Sequence, residues 1–326
     1  PGLGEVPQYS VFALFKAGGS YVALLTLSSS DVTAYLGKGS KLTLFIGKES
    51  AEVSRSAVFA LGVDDNPYRA VEKAVENASR AAGFRMRRDK RRPSILRGLG
   101  WCSWNALLTD DLSHENVVKI VRGLIERGIP INWVIVDDGW QKSAVKGEQW
   151  FTRVMLDLEP DEKKFPKGFR ALVEDLKGLG VKRVGLWHTI NILWGGVEEE
   201  VLRRLGVEGF RFPLTKSYVP PPMLEGSYRF FSAFFDWVRR CGFDFVKVDN
   251  QWIIHALYWG AEKVGRAAKA VEYGMQLAAE EKGLEILNCM SMAPENYSNF
   301  VLSNLARVSI DYIPFWRGDA KLHTLF

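Results

Sequence analysis

The stretch FDFVKVDN, residues 243–250, decides how the chain is interpreted. It is an apolar strand that closes with a lysine and a carboxylate. Because side chains alternate along a strand, Lys247 and Asp249 point to the same side. A second strand candidate closes in the same way, with Arg307 and Asp311 on one face. Two inward-facing carboxylates indicate acid/base or nucleophilic chemistry.

Strand and helix candidates alternate along the chain after Pro93. The strand candidates are Gly98 to Trp101, Trp133 to Asp137, Arg183 to His188, Phe243 to Asp249, Glu285 to Met290 and Ala306 to Asp311. The helix candidates lie near residues 114–127, 168–179, 196–205, 228–240, 261–282 and 295–304. This alternation predicts an α/β fold with a parallel sheet and crossover helices.

The C-terminal ends of these strands distinguish between two kinds of parallel sheet. A doubly wound sheet is one possibility, but no glycine-rich phosphate loop follows the first strand. Polar or aromatic side chains recur at the strand ends, as at Asp137, His188 and Asn288. This recurrence favours a (β/α)8 TIM barrel with its site on that face. Because only six strands can be identified, we expect the barrel to be incomplete.

The N-terminal part has a different pattern. Between about residues 8 and 63, short apolar runs are separated by glycine and serine turns, which predicts part of an antiparallel sheet. A helix is predicted from Pro67 to Ala82, with Asn66 as its N-cap and Gly83 at its end. We expect this helix to connect two domains.

Composition restricts the function classes. The net charge is +5, and no apolar stretch approaches the ~20 residues that span a bilayer. Much of the positive charge lies in residues 85–92, which fits a solvated linker better than a nucleic-acid surface. The three cysteines and four histidines have no metal-binding spacing, so we expect no metal and no cofactor. The scattered cysteines favour free thiols and a cytoplasmic location. The chain has no initiator methionine, so we expect a fragment, and homo-oligomer formation stays open.

Two adjacent carboxylates follow another strand. Asp137 and Asp138 end the run VIVDDGW, and burying either without a partner would cost several kcal/mol. At least one is expected to face a ligand or a cation, and a carboxylate that caps the next element is the alternative. Paired acids suit a sugar, because carboxylates accept hydrogen bonds from vicinal hydroxyls and aromatic faces pack on sugar rings. The tryptophans considered for this role are Trp101, Trp104, Trp140 and Trp187.

Lys247 and Asp311 each allow two interpretations. Lys247 could be a Schiff-base nucleophile, but Asp249 on the same face would keep it protonated. We therefore expect Lys247 to donate hydrogen bonds to ligand hydroxyls, with Asp249 as the candidate nucleophile. Asp311 needs a raised pKa to protonate a leaving oxygen. Arg307 would lower that pKa if it were too close, so we expect it to contact a ligand or another acid. A structural Arg307–Asp311 pair is the alternative.

Six segments resemble the α-galactosidase and raffinose-synthase group of glycoside hydrolases, the family-36 type with its seed-imbibition relatives. In chain order they are GLGWCSWN (98–105), VDDGWQ (136–141), LWHT (186–189), KVDNQ (247–251), NCMSM (288–292) and RVSID (307–311). The resemblance covers residues from about 95 to 317. It is specific because the six matches occur in order.

The resemblance implies a retaining α-galactosidase that forms a covalent galactosyl-enzyme. It implies that Asp249 is the nucleophile and Asp311 the acid and then the base, with carboxyl groups about 5–5.5 Å apart. The implied substrate-binding residues are Asp137 and Asp138 for the galactose C4 and C6 hydroxyls, Lys247 and Arg307 for neighbouring hydroxyls, and Trp101, Trp187 and Cys289 for the sides of the pocket. The implied domains are 1–66, the end of an N-terminal β-sandwich; 67–94, a helical linker; and 95–326, a truncated catalytic barrel.

Two other functions stay open at this point. A raffinose- or stachyose-synthase-like galactosyltransferase would share the covalent intermediate and differ only in its acceptor. The loop at residues 288–292 and the irregular stretch 207–226 are expected to shape the acceptor side. A non-catalytic carbohydrate-binding protein is the other alternative, although such a protein has no reason to keep both Asp249 and Asp311. An α-galactoside oligosaccharide is the expected partner, with no nucleic acid and no membrane.

Overall fold

The computed structural model describes residues 6–37, 42–48, 56–307 and 311. Its strands are β1 (Phe12–Ala17), β2 (Ser20–Thr26), β3 (Val32–Gly37), β4 (Thr43–Lys48), β5 (Phe59–Asp64), β6 (Leu99–Cys102), β7 (Ile131–Val136), β8 (Gln141–Val145), β9 (Arg153–Pro160), β10 (Arg183–Thr189), β11 (Phe210–Phe212), β12 (Ser217–Val219), β13 (Phe245–Asp249) and β14 (Glu285–Asn288). Its helices are α1 (Pro67–Ala82), α2 (Trp104–Leu107), α3 (His114–Glu126), α4 (Gly168–Gly178), α5 (Glu199–Leu205), α6 (Leu224–Arg240), α7 (Ile254–Leu257), α8 (Val264–Glu281) and α9 (Pro294–Tyr297). Among these described helices, none is both long and apolar enough to cross a membrane.

The N-terminal strands form two small antiparallel sheets. One has the order β1-β2-β5, and the other pairs β3 with β4. A bridge between Ser10 and Leu36 joins the segment before β1 to β3. This pairing agrees with the antiparallel sheet expected from the spacing of apolar runs and turns.

Helix α1 packs on the β1-β2-β5 sheet through small side chains. Ala70 and Ala74 are fully buried, and Gly62 in β5 lies so close that a Cβ there would be 2.0 Å from the carbonyl oxygen of Ala70. The side chain of Asn66 caps the first turn, and Gly83 ends the helix in the left-handed region at φ 78°. The predicted bounds and caps are confirmed. The helix is therefore packed onto the N-terminal sheet as well as leading to the next unit.

The central element is a parallel sheet of five strands in the order β14-β13-β10-β7-β6. Parallel strands that follow one another along the chain are neighbours in the sheet, and α3, α4, α6 and α8 lie in the connections between them. The three inner strands, β7, β10 and β13, are mostly buried on both faces, which explains why they appear in the sequence as nearly continuous apolar runs. The predicted α/β fold with a parallel sheet is confirmed.

Strand β10 illustrates how the two faces of the sheet differ. Trp187 points to the side of Lys247 and Asp249, whereas His188 points to the helices and lies 5.1 Å from the ring of Phe234, centroid to centroid. Burial lowers the pKa of His188 to about 4. His188 is thus a neutral core side chain rather than part of the polar group at the strand ends.

The parallel sheet is strongly curved. Ser94, just before β6, donates hydrogen bonds from its N–H and hydroxyl to the carboxylate of Glu285 in β14, at 2.9 and 2.8 Å. At the other end of the strands, the indole N–H of Trp104 donates to Asp311 at 3.2 Å. In a flat sheet, the edge strands β6 and β14 would be about 19 Å apart. The two edges are therefore brought close together.

Two predictions near the C-terminal end need correction or lie partly outside the described residues. The helix predicted over 295–304 is wrong beyond its first residues, because α9 ends at Tyr297. There, Ser298 and Asn299 donate side-chain hydrogen bonds to backbone carbonyls at 2.9 and 2.6 Å, in competition with a continued helix. The predicted sixth strand starts with a parallel bridge between Ala306 and Asn288. Its residues 308–310 lie outside the described residues.

Candidate active site

Asp137 and Lys247 form a buried ion pair between neighbouring strand ends. Asp137 follows β7 and is 2% exposed, and Lys247 in β13 is 5% exposed. The Asp137 carboxylate accepts hydrogen bonds from Lys247 Nζ at 2.7 Å and from Cys102 Sγ at 3.0 Å. Burial by itself lowers the pKa of Lys247, but Asp137, together with the neighbouring Cys102, Cys289 and Asp249, outweighs that effect and holds this pKa above its usual value. Lys247 is therefore a protonated cation, which disfavours the Schiff-base interpretation.

Asp138 has a different set of partners. Its Oδ2 accepts hydrogen bonds from the guanidinium of Arg153 and from Trp194 Nε1, the latter at 2.8 Å. Its Oδ1 is buried and has no hydrogen-bond partner among the described residues. Burial raises the pKa of Asp138, although Arg153 and the Trp194 indole act in the opposite direction. One carboxylate oxygen is thus left to accept a hydrogen bond from a ligand.

Asp249, the last residue of β13, is held by neutral donors. Trp187 Nε1 donates to its Oδ2 at 3.0 Å, and the backbone N–H of Asn250 donates to its Oδ1 at 2.7 Å. Asn250 adopts the left-handed region at φ 56°, which asparagine tolerates better than most residues. This conformation ends the extended strand directly after Asp249 and leads into the turn that begins at Gln251.

Arg307 and Asp311 form a pair at the edge of the polar group. Arg307 Nη1 lies 2.5 Å from Asp311 Oδ1, and Trp104 Nε1 donates to the other oxygen. The side chain of Asp311 is 44% exposed, so it is the most accessible of the four predicted acids. The alternative of an Arg307–Asp311 pair is thus what the structure has. We expected Arg307 to contact a ligand or another acid, and the acid that it contacts in the described residues is Asp311 itself.

The four carboxylates differ in how their charge is compensated. Asp137 is paired with Lys247, Asp138 with Arg153, and Asp311 with Arg307. Over the described residues, no lysine, arginine or histidine lies within ion-pair distance of Asp249, which lacks a salt bridge although it is only 8% exposed. The carboxylate of Asp249 is therefore not engaged in a direct ion pair among the described residues and can interact with a ligand.

Cys102 and Cys289 are neutral polar groups beside these acids. Cys289 is fully buried, and burial, followed by the charge of Asp249, raises the pKa of its thiol to about 12. Burial and Asp137 raise the pKa of Cys102 as well. Both thiols are therefore protonated at neutral pH and can donate only weak hydrogen bonds.

The predicted tryptophans occupy three kinds of position. Trp140 is fully buried and stacks on Trp237 at 5.6 Å, so its suggested contact with a sugar is wrong. Trp187 is 1% exposed and holds Asp249 through its N–H. Trp101 and Trp104 are half-buried at the end of β6. Of these four tryptophans, Trp101 and Trp104 are thus the most accessible to a ligand.

Two residues of the polar group were missed by the sequence analysis. Arg153 lies on β9, in a hairpin with β8 that follows the paired acids, and Trp194 lies after β10. The only available signal was the short apolar run Val154-Met155-Leu156 after Arg153. Trp194 is a further tryptophan, five residues after the end of the LWHT segment.

An α/β protein with its polar site at the C-terminal ends of a parallel sheet is the class that these observations define. A family model for raffinose synthase or seed imbibition protein Sip1 matches residues 15–219. The chain therefore belongs to the raffinose synthase and seed imbibition protein family.

Curated relatives extend over nearly the whole chain. A probable galactinol–sucrose galactosyltransferase 1 of Arabidopsis thaliana is 26% identical over 389 residues, which cover 98% of this chain and 50% of the relative. A galactinol–sucrose galactosyltransferase of Pisum sativum is 25% identical over 359 residues, covering 93% and 44%. The chain thus spans about half the length of the curated relatives it matches.

Solved structures support the fold. An α-galactosidase from Lactobacillus brevis superposes with a TM-score of 0.55 at 14% identity, covering 98% of this chain and 44% of that one. A xylosidase from Aspergillus niger gives a TM-score of 0.51 at 12% identity, covering 90% and 44%. At these identities the likeness concerns the fold alone.

Proposed function

We propose that this chain carries the catalytic site of a retaining enzyme that cleaves α-galactosides through a covalent galactosyl-enzyme. The parallel sheet would be part of a (β/α)8 barrel, which the closeness of its two edges favours. The observation that carries the proposal is the arrangement of four acids in which Asp249 is buried and has only neutral donors.

Asp249 is the proposed nucleophile. Its two hydrogen bonds fix the orientation of the carboxylate and leave it without a salt bridge among the described residues. Attack by Asp249 on the anomeric carbon breaks the bond to the leaving oxygen and forms a glycosyl ester. Positive charge develops on the sugar ring in the transition state, and an uncompensated carboxylate stabilises that charge better than one that is already paired.

Asp311 is the proposed acid and base. It is exposed enough to exchange a proton, but in the free site Arg307 holds it as an ion pair. In the proposed mechanism, the entering sugar accepts hydrogen bonds from Arg307 and draws it away from Asp311. Asp311 can then hold a proton, donate it to the leaving oxygen, and afterwards take a proton from the acceptor. In a retaining enzyme its carboxyl group should lie about 5–5.5 Å from that of Asp249.

The remaining polar side chains would bind the galactosyl group. Asp138 offers a buried oxygen without a partner, which can accept a hydrogen bond from a sugar hydroxyl. Asp137 and Lys247 form a fixed pair whose remaining donor and acceptor positions suit neighbouring hydroxyls. Trp101 and Cys289 would lie at the sides of the pocket, while Trp187 positions the nucleophile.

A cytoplasmic location stays a prediction.

Two acceptors are compatible with the same intermediate. Transfer to water makes the enzyme an α-galactosidase, which is our first candidate. Transfer to a sugar hydroxyl makes it a galactosyltransferase, and this second candidate is supported by the names of the relatives, which act between galactinol and sucrose. Identical roles for Asp249 and Asp311 are expected in both cases.

The test uses p-nitrophenyl α-galactoside with the wild type, Asp249→Ala and Asp311→Ala. Wild-type release of nitrophenol should be lost in Asp249→Ala and restored by azide with formation of β-galactosyl azide. In Asp311→Ala, azide should instead give α-galactosyl azide, because it attacks the ester rather than replacing the nucleophile. Asp236→Ala is the matched control, since Asp236 is a half-exposed carboxylate on α6 paired with Lys282.

Each outcome has a defined meaning. Full activity in Asp249→Ala would refute the assignment of the nucleophile. If the wild type releases little galactose from galactinol but transfers galactosyl groups to sucrose, the second candidate replaces the first. If the wild type does neither, the proposed function is wrong.

A further inference from the structure

A buried glutamine on α8, Gln276, connects this helix to the segment after α9, residues 298–307. Its Oε1 accepts hydrogen bonds from the backbone N–H groups of Leu302 and Ser303 at 2.8 and 3.0 Å, and from the Ser303 hydroxyl at 3.2 Å. Its Nε2 donates to the carbonyl of Asn299 at 2.7 Å and to a carbonyl of its own helix at 3.0 Å. A buried amide is costly unless its polar atoms are paired. The side chain of Gln276 thus fixes the path of the segment after α9.

The same segment is held at a second point by the end of β14. The side-chain amide of Asn288 donates to the Ser303 hydroxyl at 3.0 Å and to the carbonyl of Leu305 at 2.9 Å. The backbone carbonyl of Asn288 accepts a hydrogen bond from the N–H of Arg307 at 2.9 Å. Arg307 in turn forms the ion pair with Asp311. The contacts therefore run continuously from α8 to the proposed acid.

The series of hydrogen-bonded side chains also reaches the strand of the proposed nucleophile. The side-chain amide of Gln251 donates to the carbonyl of Val248 at 3.0 Å and to Asn288 Oδ1 at 2.9 Å. From Asn288, the series continues through Ser303 to Gln276. Gln251, Asn288 and Gln276 are each at most 1% exposed. Buried hydrogen bonds are directional, so they fix the relative position of the two segments more narrowly than apolar packing does.

We propose that Gln276 is a positioning residue for Asp311, because it holds the segment from which Asp311 protonates the leaving oxygen. This inference rests on the proposed function and adds to it a residue buried in α8. Proton donation requires heavy atoms within about 2.6–3.2 Å, and a misplacement of about 1 Å can cost on the order of 100-fold in rate. The proposed nucleophile Asp249 is instead oriented by Trp187 and Asn250. Loss of the Gln276 hydrogen bonds should therefore impair proton donation selectively.

The test compares two substrates whose leaving groups differ in their need for a proton. Methyl α-galactoside releases methanol, which must be protonated as it leaves, whereas α-galactosyl fluoride releases fluoride, which needs little assistance. Gln276→Met keeps the length of the side chain but removes its hydrogen bonds. It should lower kcat/KM for methyl α-galactoside on the order of tenfold and leave the value for α-galactosyl fluoride within about twofold. Asp311→Ala should show the same selectivity with a larger loss, on the order of 100-fold or more.

Both assays measure release of the leaving group, methanol or fluoride. They contain sucrose, so that water and a sugar hydroxyl are both available as acceptors. The ratio of the two kcat/KM values reports formation of the galactosyl-enzyme, so the later role of Asp311 as a base does not enter it.

A second variant and a control accompany Gln276→Met. Ser303→Ala removes only the hydroxyl that joins Asn288 to Gln276 and should give the same selectivity with a loss of about threefold. Tyr258→Phe is the matched control, because it removes another buried hydroxyl, which donates to the carbonyl of Pro220 at 2.7 Å outside this series. The control should lower the melting temperature without changing the ratio of the two kcat/KM values.

The outcomes separate failure of this inference from failure of the proposed function. A selective loss in Gln276→Met, or in Ser303→Ala should the first variant not fold, supports the inference. Equal losses with both substrates, or no loss, overturn it, while selectivity in Asp311→Ala leaves the proposed function standing. If the wild type fails to release methanol or fluoride, or if Asp311→Ala shows no selectivity, the proposed function fails and the inference fails with it.

Discussion

Replacing Lys247 with methionine is expected to destabilise the protein by about 3–5 kcal/mol, because the change leaves Asp137 buried without its cation. The two groups are 2.7 Å apart and both are almost fully buried. At an effective dielectric constant of about 20, their attraction is about 6 kcal/mol. Desolvation of both ions offsets much of this attraction. The cost of Lys247→Met therefore comes mainly from leaving the Asp137 carboxylate buried without a partner.

A double-mutant cycle checks this reasoning. Lys247→Met, Asp137→Asn and the double variant are unfolded with urea, and the free energy of unfolding is compared with that of the wild type. Each single change should be costly, and the double variant should lose clearly less than the sum of the two. Additive losses, or single losses below about 1 kcal/mol, would refute the idea that the pair is energetically coupled.

The raised pKa of Lys247 determines how the difference in free energy of unfolding between wild type and Lys247→Met depends on pH. A raised pKa in the folded state means that the stability contributed by protonated Lys247 is fully present below its unfolded pKa of about 10.4. It is lost only when the pH rises through the folded pKa. The difference between wild type and Lys247→Met should therefore be the same at about pH 7 and about pH 9.

Three other changes have expected outcomes. Trp187→Phe removes the N–H that orients Asp249 and should lower kcat/KM about 10- to 100-fold in the galactoside assay, with little change in circular dichroism. Gly195→Ala places a Cβ 2.8 Å from backbone oxygens of the β8–β9 hairpin and should cost about 1–3 kcal/mol in urea unfolding, whereas Gly178→Ala, with open space around it, should not destabilise. Glu272→Gln should be more stable than wild type near pH 7 and equal near pH 4 in thermal melts. Burial raises the pKa of Glu272, so the stability of its protonated form is lost as the pH rises through that value.

Sequence patterns predicted the parallel strands well for a physical reason. Strands covered on both faces consist of nearly continuous apolar runs. In β7, β10 and β13 such a run is succeeded by polar residues at or directly after the C-terminal end of the strand. Helix α1 was predicted to the residue because Asn66 and Gly83 have distinctive capping chemistry. For these strands and for helix α1, sequence signals were sufficient because the deciding residues lie within the element or directly beside it.

The β8–β9 hairpin shows where sequence patterns are insufficient. Its strand QKSAV has no clear alternation, and its register shifts near Gln141. Nothing local indicates that Arg153 reaches Asp138 or that Trp150 packs on Trp194, because both contacts depend on the path of the hairpin across the strand ends. Similarly, the position of Trp140 beside two acids did not reveal that its side chain points into the core.

Over the described residues Asp249 has no salt bridge, which implies that the pocket alternates between two electrical states during turnover. Three acids of the group are each matched by a cation in the described residues, so in the proposed mechanism the unmatched charge of the free pocket is that of the nucleophile Asp249. Formation of the proposed ester removes that charge. A protonated iminosugar should therefore bind the resting protein strongly and the ester weakly, so that a cationic inhibitor competes with the first substrate and hardly at all with the acceptor.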